Sequence, residues 1–293
     1  MSLRIGILDG ALASANGALV ARRLGAETVA VGAAPTGTEA DAAALRAALL
    51  AGEVDAVVHS FSELPIDRPS GIVLAAVPKR ADARDALCTS GGRDLGALPA
   101  GSRVGVTRPL RRAQLAAQRA ELIGVDVVGD LDALLGRLDA DDAGQALDAV
   151  VVSAADLDVL DRGTVITERW GLESWPTAPG QGALVVETRA SDARLVAKLD
   201  HKPSRLSATA EHGVAARIGA GCAPYLAASA LFEDGLLFLS ARVYAPDGTA
   251  QLTASHALYP EDVRDPAAEL AARVADELLA AGAAELVAGG GLS

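Results

Sequence analysis

Residues 55–65, Asp55-Ala56-Val57-Val58-His59-Ser60-Phe61-Ser62-Glu63-Leu64-Pro65, run an apolar segment straight into polar side chains closed by a proline. A short continuous apolar run suits a strand buried on both faces, and Asp55 to His59 is read as one. In open α/β sheets ligands bind outside the carboxyl ends of the strands, which is where Ser60, Ser62 and Glu63 then stand. A carboxylate there suits acid–base or charge-stabilising chemistry; the plainer alternative, from spacing alone, is a helix cap before a proline turn. For His59 the plain reading is a satisfied structural histidine.

Outward from this segment the pattern repeats. Arg4 to Leu8 and Thr28 to Val31 read as strands, Ala11 to Leu24 and Thr38 to Leu50 as helices, the second closed by Gly52. Gly71 to Val77 is another apolar strand, after which Pro78 and Lys79-Arg80-Ala81-Asp82 interrupt the pattern at a domain crossing. A second unit follows: strands Arg103 to Thr107, Val125 to Val128 and Ala149 to Ser153, with helices from Pro109 and Asp130. Trp170 to Pro179 is irregular, and Ala183 to Val186 reads as a strand of a return crossing. Beyond Pro203 the order becomes one helix, Arg205 to Arg217, three strands near Ala227, Leu236 and Leu252, and a terminal helix from Pro260. The fold class is α/β with a C-terminal α+β domain.

Composition narrows the function. The chain of 293 residues, 51% hydrophobic, is long enough for about two domains, each with a core. A net charge of −12 argues against nucleic acid as a partner. The longest charge-free stretch, Ile218 to Phe232, is too short for a membrane span and contains Gly219, Gly221 and Pro224. Met1-Ser2-Leu3-Arg4 leads into a strand without an apolar leader, so a cytoplasmic location is expected. Cys88 and Cys222 are too few for a disulfide scaffold and lack zinc-site spacing. With lysine confined to Lys79, Lys198 and Lys202, arginine carries the positive charge, and arginine suits fixed, bidentate carboxylate recognition.

Two further segments hold chemistry. Thr107-Arg108-Pro109-Leu110-Arg111-Arg112 opens a helix, where backbone N–H groups and three arginines favour an anionic ligand; a solvated basic face is the alternative. Helical geometry turns Arg111 and Arg112 about 100° apart, so they serve different carboxylates or one is structural. Gly219-Ala220-Gly221-Cys222-Ala223-Pro224 sets a thiol on a loop after a helix, either as a reactive or cofactor-bearing group or as one more buried cysteine. Cys88 reads as structural.

The order of Arg4-Ile5-Gly6, His59-Ser60 with Glu63 and Pro65, Arg84-Asp85-Ala86-Leu87, Leu98 to Gly105, Leu110-Arg111-Arg112-Ala113-Gln114-Leu115, Ala178-Pro179-Gly180-Gln181-Gly182-Ala183 and Gly221-Cys222 resembles the porphobilinogen deaminase (hydroxymethylbilane synthase) family over nearly the whole chain. The resemblance implies two α/β domains like those of a two-lobed solute-binding protein, residues 1–79 with 178–200 and residues 80–177, and a third domain, 201–293. It implies a transferase of tetrapyrrole (heme) biosynthesis that joins four porphobilinogen molecules into hydroxymethylbilane with loss of ammonia. A dipyrromethane cofactor is implied on Cys222 by a thioether, beside Gly221. Glu63 is then the catalytic carboxylate that stabilises the cationic azafulvene formed as ammonia leaves, Arg111 and Arg112 hold acetate and propionate groups, and His59 and Ser60 shape the turn. Porphobilinogen is the expected partner of a monomer.

The chain departs from the family pattern in ways that bear on function. Aspartate is usual at Glu63, lysine at Ser62, serine at Gly10, and arginine at Leu8, Val128, Leu134 and Val159. The arginine segment carries one extra residue, with Arg108-Pro109 replacing small hydroxyl residues. These losses motivate the alternative of an impaired paralogue that binds a different, less anionic small molecule. A cysteine hydrolase using Cys222 and His212 is a third reading.

Overall fold

The computed structural model describes residues 2–32, 39–140 and 146–289. Its strands fall into three sheets. The first half begins β1 (Arg4–Ile7), α1 (Ala11–Leu24), β2 (Glu27–Ala30), α2 (Glu39–Leu50), β3 (Ala56–Ser60) and β4 (Ile72–Ala76). Thr38, the expected start of the second helix, lies outside the described residues. The chain then crosses to β5 (Asp85–Thr89), β6 (Arg103–Val106), α3 (Pro109–Gln118), β7 (Ile123–Asp126), α4 (Leu131–Gly136), β8 (Ala149–Ser153), α5 (Ala154–Val159) and β9 (Glu168–Arg169). It returns as β10 (Leu184–Arg189) and finishes with α6 (Lys202–Ile218), β11 (Leu226–Glu233), β12 (Leu236–Tyr244), β13 (Gln251–Leu258), α7 (Pro266–Ala280) and α8 (Ala283–Val287).

The two larger sheets share one plan, β2-β1-β3-β10-β4 and β7-β6-β8-β5-β9. In each, three neighbouring strands are parallel and the fourth runs against them: β10 is antiparallel to β3 and β4, and β5 to β8 and β9. The antiparallel strand is the one that has just crossed from the other sheet. Ile5, Val57 and Val186 in one sheet and Leu87, Val104 and Val151 in the other are fully buried, as strands covered on both faces require. Helix α1 lies so close to its sheet that a Cβ on Gly17 would stand 2.5 Å from Ile7 Cγ2. The third sheet, β11-β12-β13, is antiparallel and packs under α6 and α7 through Leu237, Leu239, Val214, Leu270 and Val274.

The two crossing segments run side by side. Ala81 N donates to Gly182 O at 2.9 Å, and Gln181 Nε2 and Thr177 Oγ1 both donate to Ala83 O at 2.9 Å. Gly182 has φ +75°, and a Cβ there would meet Asp82 O at 2.8 Å, so glycine is required for the two strands of chain to touch. Among the described residues no helix is long and apolar enough to cross a membrane.

Candidate active site

Strands β1, β3, β6 and β8 each feed a helix or turn at their carboxyl ends, and these ends meet at the junction of the two larger sheets. Helices α1 and α5 touch across it, and Arg108, after β6, reaches the turn after β3.

That turn, Phe61–Glu63, is one turn of 3-10 helix pinned on both sides. Phe61, 1% exposed, packs edge-on to His212 with ring centroids 5.3 Å apart, and its N–H donates to Ala183 O. Leu64 is buried, and its carbonyl accepts from His212 Nε2 at 2.9 Å. With the flanks anchored, Ser62 and Glu63 project outward; the Glu63 side chain is 50% exposed. Ser60 Oγ and Ser62 Oγ lie 3.2 Å apart.

Arg108 is the N-cap residue of α3, extended in backbone, with Pro109 fitting the first helical position and no side chain capping the helix. Its Nη2 donates to Ser62 Oγ at 3.3 Å and lies 3.5 Å from Glu63 Oε1. Burial of the charged end, reinforced by the nearby charge of Arg111, holds this guanidinium below the usual arginine range. The N-terminus of α1, at Gly10, likewise has no side-chain cap. Guanidinium and open helix N-termini form a donor set that suits carboxylates.

Arg111 is committed inside the protein. Its Nε and Nη2 donate to Asp85 at 3.0 and 2.6 Å, Nη2 also reaches Gln181 Oε1 at 3.3 Å, and Nη1 bonds Thr107 Oγ1. Asp85 also accepts from Trp175 Nε1 at 3.1 Å and Gln181 Nε2 at 2.9 Å. Arg112 points elsewhere, to Asp126 at 2.6 Å and Gly124 O at 2.8 Å, in a pair open to solvent. The adjacent arginines thus diverge as helical geometry dictates.

Asp156, in the first turn of α5, was not singled out from the sequence, though it follows an apolar strand as Glu63 does. Burial pushes its carboxyl up to about 6, with Arg111 opposing and Glu63 adding to the shift. Asp85 was also missed as a site residue; its partner Arg111 lies 26 positions away, beyond any local pattern.

His59 is structural. Its Nε2 sits 3.2 Å from Glu187 Oε2, and Glu187, with no exposed surface, is also held by Arg46 and Arg68 at 2.8 Å. Burial alone would raise the Glu187 carboxyl, but His59, Arg46 and Arg68 hold it far below the usual range.

Cys222 lies between Gly219, φ +90°, and the turn Ala223–Tyr225 that abuts α3. A Cβ at Gly219 or Gly221 would meet nothing within 4 Å, so the loop is open on that side. Cys222 is 4% exposed, packs in the core beneath the third sheet, and its thiol donates to Ala283 O at 3.6 Å. Burial, with Glu285 adding, raises its pKa. Cys222 and His212 have separate hydrogen-bond partners, so the thiol–imidazole pair that the hydrolase reading needs is not formed. Cys88 is fully buried and pushed up to about 11. Of the positions where the family pattern has arginine, Leu8 and Leu134 are built into cores, whereas Val128 is 99% exposed.

A carboxylate and a guanidinium from the two larger sheets' lobes meet at the junction of a two-lobed α/β protein. The family described as porphobilinogen deaminase, dipyromethane cofactor binding domain, matches residues 36–197. A porphobilinogen deaminase of Leifsonia xyli is 49% identical over 262 residues, covering 85% of this chain and 78% of the relative. That of Thermobifida fusca is 40% identical over 261 residues, covering 86% and 80%. The chain belongs to the porphobilinogen deaminase family. Among solved structures the methionine binding protein MetQ aligns with a TM-score of 0.42 at 14% identity, over 68% of this chain and 89% of that one.

Proposed function

We propose that the chain condenses four porphobilinogen molecules into hydroxymethylbilane at the inter-lobe junction, with Glu63 as the catalytic carboxylate and Cys222 as the attachment point of the dipyrromethane cofactor. The observation that carries this is the placement of Glu63: half-exposed at the carboxyl end of β3, on a turn anchored by buried Phe61 and Leu64, facing the opposite lobe's Arg108.

When porphobilinogen loses ammonia, positive charge spreads over its ring and N–H. A fixed carboxylate beside that N–H stabilises the developing charge and accepts the proton released later. Phe61 and Leu64 fix the backbone of the turn, so Glu63 needs only side-chain rotation to meet the ring. Ser60 supports the turn through Ser62. Arg111 acts as scaffold, holding Thr107 and Asp85 in place below the junction. Arg112 is different: its pair with Asp126 is exposed, and such pairs contribute about 0–1 kcal/mol, so a carboxylate arm displaces Asp126 at little cost. A dipyrromethane held here would supply the pyrrole carbon to which the first porphobilinogen is joined. The uncapped N-termini of α1 and α3 would offer backbone donors to its acidic arms. Attachment at Cys222 requires the thiol to rotate away from Ala283, which the open space at Gly219 and Gly221 favours. The division into residues 1–79 with 178–200, 80–177 and 201–293 is supported by the assignment of their strands to three sheets.

The test is mass and turnover together. Denatured protein from a porphyrin-making host is expected to exceed its sequence mass by two pyrrole units, and Cys222→Ser to lose the increment. Glu63→Gln is expected to keep the fold and lose ammonia release from porphobilinogen. An unmodified mass sinks the anchor, and unchanged turnover of Glu63→Gln removes that residue from the chemistry.

A further inference from the structure

Arg108 differs from the other arginines gathered at the junction and crossing. Arg80, Arg84, Arg111 and Arg169 are each held by a carboxylate oxygen at 2.8 Å or closer. Arg108 has only Nη2 engaged, at 3.3 Å to a neutral hydroxyl and 3.5 Å to Glu63. Its Nε and Nη1 make no hydrogen bond among the described residues, yet the side chain is 30% exposed and faces the junction. A guanidinium presents five donors in a planar fork matched to a carboxylate, so one edge of this fork is unused. The first-turn N–H groups of α3, which no side chain caps, lie beside it.

We infer that Arg108 is a specificity-determining residue that receives a carboxylate arm of a pyrrole on its unused edge, while its other edge keeps contact with the Ser62–Glu63 turn. One side chain thereby registers the acidic arm against the carboxylate that acts on the ring. The attraction of an anion there also offsets the desolvation and the Arg111 repulsion that weaken this cation. The inference rests on the reading of Glu63 as catalytic. The arm belongs either to porphobilinogen, which carries acetate and propionate, or to the cofactor.

The experiment compares full-length Arg108→Gln, Arg108→Lys and Glu63→Gln by intact mass and by steady-state kinetics with porphobilinogen. If the arm is the substrate's, Arg108→Gln keeps the two-pyrrole increment and raises KM about 10- to 100-fold, the range expected for a lost hydrogen bond to a charged group, with kcat within about threefold. If it is the cofactor's, Arg108→Gln loses the increment. Either outcome supports the inference. A retained increment with KM within about twofold of the parent overturns it. Should Arg108→Gln fail to fold by circular dichroism, Arg108→Lys carries the test: it keeps the charge but loses the fork, and about a tenfold rise in KM is expected where an unchanged KM refutes. Glu63→Gln that still turns over sinks the catalytic reading, whereas a dead Glu63→Gln with a normal Arg108→Gln sinks only this inference.

Discussion

Glu211 and Arg80 close a two-point pair, Oε1 to Nη1 at 2.6 Å and Oε2 to Nη2 at 2.9 Å, with the carboxylate wholly buried. The same carboxylate accepts the N–H of Gly180 and of Ala230, both at 2.7 Å. One side chain on α6 therefore binds the outgoing crossing at Arg80, the return crossing at Gly180 and the first strand of the third sheet. Removing one partner of a buried pair strands the other charge at about 3–5 kcal/mol. Glu211→Gln is expected to lower stability by about 3 kcal/mol in urea titration. A loss below about 1 kcal/mol would show that the crossing is held by packing alone.

Much of this arrangement is legible in the residues, and the gaps have physical causes. Apolar runs located β1, β3, β6, β8 and β10, whose central residues are buried, and β4, where Ile72 and Ala76 are buried and the residues between them half-buried. Strand β5 has no counterpart in the sequence pattern: Asp85 opens it just beyond the Lys79-Arg80-Ala81-Asp82 interruption, and that carboxylate is tolerable in a core only because Arg111, Trp175 and Gln181 surround it. The terminal helix starts at Pro266, not Pro260: both prolines suit a first helical turn, but Asp265 caps Ala268 N while Pro260–Asp262 forms a single 3-10 turn. Helix α6 begins at Lys202 because His201 Nδ1 accepts from Ser204 N, a histidine cap that composition does not signal. Glu63 was legible as a strand-end acid. Its position beside Arg108 was not, since the contact joins residues of two different sheets.

Asp82 couples the crossing to acid sensitivity. The Arg84 guanidinium, against the opposing effect of burial and with Arg169 assisting, holds its carboxyl near 2 instead of the ordinary 3.8. A depressed carboxyl stabilises the fold fully above its unfolded value and loses that contribution as pH falls through the folded one. Asp82→Asn is thus expected to cost about 1–2 kcal/mol at pH 7, discounted for partial exposure, and progressively less between about pH 4 and pH 2. A pH-independent cost would assign the effect to packing.

Asp156 has the opposite sign. Its carboxyl, raised to about 6 chiefly by burial, binds its proton more tightly folded than unfolded. The charged form therefore destabilises fully above about pH 6, and the cost disappears below about pH 4. Asp156→Asn is expected to stabilise by about 1 kcal/mol at pH 8 and negligibly at pH 4, measured by denaturant titration at both values. Equal effects at the two pH values would place the carboxyl in water.

The thiol of Cys222 tests how the anchor becomes available. Thiolate is the reactive form, and both burial and Glu285 disfavour it, while the Ala283 carbonyl holds the thiol inward. Protein produced in a host that makes no porphobilinogen, carrying Cys88→Ser to silence the other cysteine, is expected to react with a disulfide reagent at pH 7.5 about 100-fold more slowly than free cysteine, reaction occurring through brief openings of the loop. Addition of porphobilinogen to the same protein is expected to build the two-pyrrole mass increment at a rate that Gly219→Ala reduces. At Gly219 the reason is its φ of +90°, a conformation alanine adopts only with strain. Modification as fast as free cysteine would mean that the thiol is already open to solvent and that no opening step precedes attachment.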